Sequence, residues 1–231
     1  MMLKDCELWL YGSEARGDCD DLSDCDLLFV ADSEVTSRDI PPECRDLLAT
    51  GTVSRYDWKE IEGMAKYGSL FLHHLRLEGR CLGASSTRPL SLRTLLNQLA
   101  PYQRVKSDVR AFHTTVDDIR QSLEDGGSLK FELSVLATVV RHASILGCYV
   151  SGCPTFGRLR AVEMVVDLWQ LDPWIKSSFA ELYAYRLFAD RRLPRIPKYL
   201  SDEQVADWLI ATSALLRKLE EYTDGYDKGL S

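Results

Sequence analysis

The sequence predicts an α+β fold, in which a small sheet-containing domain over residues 1–85 precedes an all-α helical bundle over residues 90–225. Three observations carry that prediction. Through Gly83, short apolar runs separated by turns give way to two short helical patterns, whereas beyond it apolar residues recur at three and four, the period of a helix. Between the two regions lies GASSTRPLS, residues 83–91, whose small, polar and proline-containing make-up is that of a linker. At 231 residues the chain exceeds one average domain, and a body this size buries roughly 70% of its unfolded surface, enough for a full core.

The elements follow in order. A first strand runs from Glu7 to Tyr11 and turns at Gly12-Ser13; Asp24 and Asp26 open a second apolar strand, Leu27 to Val30. A third strand is predicted within TGTVSRYDW, residues 50–58. Two helices follow, in DWKEIEGMAKYG and SLFLHHLRLEG, the first capped by Asp57 with Glu60 three residues on. Helices are then predicted near 91–99, 102–124, 129–150, 158–170, 173–189 and 202–222. Ser201 with Gln204 makes a capping box, Asp172-Pro173 a cap followed by proline at the first helical position, and Gly126-Gly127 and Pro154 mark stops. There is no internal repeat and no low-complexity segment.

A net charge of −7 argues against a general nucleic-acid binder, because phosphate-tracking proteins carry a basic excess, although it leaves room for a local basic patch. The seven cysteines, at 6, 19, 25, 44, 81, 148 and 153, form no C-x-x-C pair and read as reduced thiols rather than as a zinc site or a disulfide framework. MMLKDCELWL is too short and too acidic for a signal peptide, and the longest apolar helix pattern is broken by Arg141-His142. A soluble cytoplasmic protein without membrane partners is the expectation; oligomeric state is left open.

The chemistry concentrates near the start, where LYGSEARGD is followed by SDCDLLFV. In an extended strand alternate side chains share a face, so Asp24 and Asp26 are expected to point the same way, about 6.6 Å apart along the backbone. Two carboxylates that close repel, and a divalent cation relieves the repulsion; an all-oxygen donor set favours Mg²⁺ over zinc. Gly12 allows close backbone approach to phosphate, and Ser13 offers an N–H and a hydroxyl. Arg16 has two readings, a phosphate partner or a bridge to Asp18 or Asp21.

Together, Gly12, Ser13, Ala15, Arg16, Gly17, Asp18, Ser23, Asp24, Asp26 and Leu27 resemble the G-S-x-A-R-G-D…S-D-x-D-L pattern of the DNA polymerase β-like nucleotidyltransferase superfamily, in its small bacterial branch. The resemblance implies a small mixed-sheet catalytic domain that binds a nucleoside triphosphate through Gly12, Ser13 and Arg16 and holds Mg²⁺ on Asp24 and Asp26. It would move an NMP, AMP from ATP, to a hydroxyl of an unidentified small-molecule or macromolecular acceptor. It also implies a third carboxylate, both metal ligand and base, on the third strand. That acid is expected near Thr52 or Ser54, and neither can serve as one; the nearest acid is Asp57, read either as a reoriented catalytic acid or as the helix cap. Two alternatives follow: a nucleotidyltransferase-fold module of weak or no catalysis that binds nucleotide or a partner, in the manner of an antitoxin, and an aminoglycoside-type antibiotic nucleotidyltransferase.

The helical half resembles, in architecture, the domain that follows the catalytic one in kanamycin nucleotidyltransferase-like proteins. Within it Arg141 and His142 either reach the surface or face a cleft. His73 and His74, adjacent on one helix, are read as one lining the sheet–helix interface and the other exposed, not as a metal pair. Arg186, Arg191, Arg192, Arg195 and Lys198 form the only dense basic cluster, either a solvated turn or a clamp for an anion. Trp169, Trp174, Phe179 and Tyr183 read as core.

Overall fold

A computed structural model describes residues 5–19, 23–32, 51–85, 90–190 and 192–228. The fold is α+β and divides into two compact units, residues 1–103 and 104–231.

Among its described residues the first unit is built from strands β1 (Cys6–Tyr11), β2 (Asp26–Ala31), β3 (Thr52–Tyr56) and β4 (Arg80–Ser85), with helices α1 (Gly12–Arg16), α2 (Trp58–Lys66), α3 (Leu70–Glu78) and α4 (Leu92–Asn97). The sheet order is β3-β2-β1-β4; β1 is antiparallel to both neighbours and β2 is parallel to β3, so the sheet is mixed. Strand alternation puts Trp9, Leu28 and Val30 on one face, where they form a core with Trp58, Ile61, Leu72, Leu75, Leu92 and Leu96 from α2, α3 and α4. The opposite face gathers Cys6, Leu8, Leu27, Phe29 and Ala31. Central β2 is therefore buried on both sides, which is why it reads as an unbroken apolar run rather than an alternating one. Glu7 is buried with the helical face: one carboxylate oxygen accepts the Leu92 N–H at 3.0 Å and the other the Trp9 indole N–H at 2.8 Å, tying α4 to β1.

β4 is a departure from the sequence reading, which places residues 83–91 in a linker. Arg80–Ser85 is an edge strand that pairs with β1 from Cys6↔Ser85 to Leu10↔Arg80, with a register shift at Leu8/Trp9. Gly83 and Ala84 are poor strand formers, so the segment owes its conformation to a distant partner rather than to its own pattern. Linker residues 86–89 lie outside the described residues, as does Cys44, and α4 belongs to the first unit.

The second unit contains α5 (Val105–Glu124), α6 (Leu129–Val150), α7 (Arg160–Leu168), α8 (Trp174–Ala189) and α9 (Asp202–Lys228). α6 is the hub and packs against the other four. By length and composition it is the one described helix apolar enough to cross a membrane, yet 67% of its apolar window is buried inside the structure, as in a core helix. The capping box is formed reciprocally: Gln204 N–H donates to Ser201 Oγ and Ser201 N–H to Gln204 Oε1. Asp172 accepts the Trp174 N–H at 2.9 Å. α9 runs past the predicted end at 222; the Tyr226 ring lies 6.0 Å from Tyr149 of α6, a tertiary contact that carries the helix through Gly225. Trp169 and Phe179 are buried, and Trp174 meets Trp208 at 4.7 Å, so this stripe is packing.

Candidate functional site

Register brings the ends of three strands together. Tyr11, the last residue of β1, stands opposite Asp26, the first of β2, and Asp26 stands opposite Thr52, the first of β3. At Gly12 the chain leaves the sheet with φ +76°. A side chain there would put its Cβ 2.7 Å from Asp26 Oδ2, inside any permitted contact. Gly12 is thus fixed by two independent demands, a left-handed backbone and the close approach of a carboxylate to the main chain. α1 opens at this point, and its first N–H groups lie outside the helical ladder.

Asp24 does not lie in a strand; β2 begins at Asp26. Parallel pairing nonetheless reaches back one residue, because Thr52 N–H donates to the Cys25 carbonyl at 2.9 Å. The Thr52 hydroxyl then donates to Asp24 Oδ2 at 3.2 Å. Asp24 and Asp26 therefore meet at the same end of β3, one through a hydrogen bond to Thr52 and the other through register with it. Both are half-buried.

Behind this edge lies a polar and aromatic layer. The Tyr11 hydroxyl is 3.2 Å from Ser54 Oγ, and its ring stands edge-on to Phe71 and to His74, each at 5.5 Å. Burial, then the negative charge of Asp26, pushes the Tyr11 hydroxyl above its usual pKa against the lowering effect of Ser54. Neither histidine is the exposed member of the pair: His74 Nε2 lies 2.7 Å from Glu78 Oε2, and buried His73 meets the Ala100 carbonyl at 3.1 Å. Burial raises the Glu78 carboxyl, but His74 and Arg16 outweigh it and hold Glu78 below the usual carboxylate range.

Arg16 bridges between acids. Its Nε donates to Asp18, and Nη1 sits 2.5 Å from Glu78 Oε2, binding α1 to α3. Asp21 lies outside the described residues. The Arg16 side chain is one-fifth exposed, so a bound anion would share its guanidinium with two carboxylates.

Asp57 is a helix cap and no part of this site. It accepts the Glu60 N–H at 2.7 Å while its own N–H donates to Glu60 Oε2 at 2.8 Å. It follows the last residue of β3, five positions and about 16 Å along the strand from Thr52, so it cannot share a cation with Asp24 and Asp26. The position opposite Asp26, where a third acid would complete a ligand set, is a threonine.

Among the described residues no group of three or more His, Cys, Asp and Glu side chains stands ready to hold a metal. The donors at this edge, two carboxylates and a hydroxyl, are all hard oxygens, and the absence of a Cβ at buried Gly12 is what lets Asp26 Oδ2 approach the turn. This fits a hard divalent cation carried with a phosphate ligand, since Mg²⁺ is bound by one or two carboxylates plus substrate oxygens rather than by an all-protein cage. No family model matches the chain, and no curated protein matches it.

Glu78, His74, Tyr11 and Ser54 were not legible as neighbours of the turn. Alternation along β1 and β3 puts Tyr11 and Ser54 on the face of Asp26 once the register is known, but nothing local announces Glu78, 62 positions from its partner Arg16.

Proposed function

We propose that the first unit is a Mg²⁺-dependent nucleotidyltransferase of the polymerase β-like kind, acting in the cytoplasm and moving an NMP, AMP from ATP, to a hydroxyl of a small-molecule or macromolecular acceptor. The observation that carries this reading is the close approach at Gly12: Asp26 Oδ2 lies 2.7 Å from where a Cβ would stand, and Asp24 accepts the Thr52 hydroxyl at the same edge. An acid held close against a glycine turn suits a polyphosphate with its cation, which needs carboxylate ligands beside accessible backbone N–H groups.

Each residue has a task. The Ser13 hydroxyl and the unladdered N–H groups opening α1 donate to phosphate oxygens. Asp24 and Asp26 hold the cation, and the glycine bend keeps the backbone out of its way. When bound, Mg²⁺ neutralises charge on the triphosphate and on the leaving pyrophosphate. The acceptor oxygen forms a bond to the α-phosphorus as the bond to the bridging oxygen breaks and pyrophosphate departs. The hydroxyl proton passes to water or to a basic group of the acceptor, because Thr52 is no base.

That last point favours a second reading, a nucleotide-binding module with little or no turnover. General-base assistance is worth roughly 10²–10⁴-fold, so a threonine opposite Asp26 slows chemistry without abolishing binding. Pyrophosphate release from mixed NTPs with Mg²⁺, in the presence of aminoglycosides, nucleosides and candidate protein acceptors, decides between them. Release that disappears in Asp24→Asn and Asp26→Asn supports the enzyme. Mg²⁺-dependent ATP binding without release supports the binding module, and absence of both removes the proposal.

A further inference from the structure

The second unit carries a surface for which the chemistry of the first has no use. After α8, residues 192–200 run without helix or strand, yet they are held at several points. The Arg192 and Leu193 N–H groups donate to the Leu187 carbonyl at 2.9 and 3.4 Å, the Tyr185 hydroxyl donates to the Lys198 carbonyl at 2.7 Å, and Leu200 is buried. Pro194 and Pro197 fix φ at two further places. The result is a pre-formed strap, and ordering it on a ligand forfeits little entropy.

Its exposed residues alternate along the chain between cations and flat or branched apolar side chains. Arg195 and Lys198 are exposed, Ile196 is 58% exposed and Tyr199 68%. Across residues 186–198 five cations, Arg186, Arg191, Arg192, Arg195 and Lys198, face one acid, Asp190, in a chain whose net charge is −7. Asp190 is itself engaged by Arg186 at 3.0 Å, and Arg191 lies outside the described residues. Partial dehydration and then the charges of Arg141 and Arg186 hold the His142 imidazole below its ordinary pKa, although the ring keeps solvent contact.

We infer that the 192–200 strap is a binding platform for single-stranded nucleic acid, with phosphates on Arg195 and Lys198 and a base stacked on Tyr199. Interleaved cations and exposed rings on a fixed backbone are the chemistry of sequence-tolerant single-strand binding. An acidic peptide would use the cations but leave the ring and the preset backbone without a role. Double-stranded nucleic acid would offer no base face to Tyr199.

Fluorescence anisotropy of the full chain with labelled 12-nucleotide oligouridylate and oligothymidylate, in EDTA and without NTP, tests this independently of the first unit. Binding weakens with salt, and Arg195→Gln with Lys198→Gln flattens the log–log salt slope by about 1.4, the value for two single-strand phosphate contacts. Tyr199→Ala weakens binding about tenfold and leaves the slope unchanged. Asp26→Asn binds like wild type. All three positions are exposed, so the fold is retained, with circular dichroism as the check; should the double variant unfold, Arg195→Gln alone flattens the slope by about half as much. No binding at low salt, an unchanged affinity in Tyr199→Ala, or equal affinity for oligoglutamate of matched charge would overturn the inference.

Discussion

Replacing Gly12 by alanine separates site geometry from stability, because the chain contains its own control. Gly12, the first residue of α1, and Gly17, which follows its last, share nearly the same positive φ, +76° and +78°. Alanine in the left-handed region costs about 1–2 kcal/mol at either place. In a unit of about 100 residues this lowers Tm by roughly 4–16 °C. The surroundings differ. A Cβ at Gly17 meets nothing within 4 Å, whereas a Cβ at Gly12 would lie 2.7 Å from Asp26 Oδ2 and forces that carboxylate to rotate away. Gly12→Ala should therefore lose at least as much stability as Gly17→Ala by calorimetry, while only Gly12→Ala loses MgATP affinity, by about tenfold or more in titration calorimetry. Equal affinities in the two variants would refute the assignment of Gly12 as the wall of a cation–phosphate site.

Three further outcomes follow from the geometry. Thr52→Asp removes the hydroxyl donor to Asp24 and sets a third carboxylate opposite Asp26, so it should lower Tm in EDTA, raise the stabilisation gained from Mg²⁺, and increase pyrophosphate release if any is present. Asp57→Ala should lower stability by about 1 kcal/mol through loss of the capping box, seen as a lower Tm, with MgATP affinity unchanged. Glu78 is held below the ordinary value of 4.5 in the fold, so its stabilisation is complete above that pH and is lost as pH falls through the folded-state value. Glu78→Gln should therefore melt lower than wild type at pH 7, and the gap should close in melts below pH 4.5.

What was legible in the sequence is what a few neighbouring residues decide. Gly12, Ser13 and Asp26 follow from the turn and from the onset of an apolar run, and the Asp57–Glu60 and Ser201–Gln204 boxes are three-residue signals that the chain satisfies by itself. Asp24 was placed in a strand because its spacing from Asp26 suits one; in the fold strand pairing starts at Asp26, and a hydroxyl on β3 brings Asp24 to the edge instead. Gly83–Ser85, the end of β4, read as linker because these residues have little strand preference and β1 supplies the order. Arg16 had two readings until its partner Glu78, on a helix far along the chain, was in view. These contacts depend on packing, and no local periodicity encodes them.

The most direct measurement is titration of ATP into the full chain with and without Mg²⁺, for wild type and for Asp26→Asn, whose side chain keeps the shape and removes the charge. Wild type should bind ATP only with Mg²⁺, with a rise in Tm that grows with ligand concentration, and Asp26→Asn should show neither. ATP binding that is indifferent to Mg²⁺, or equal in the two proteins, would contradict a cation site at Asp26.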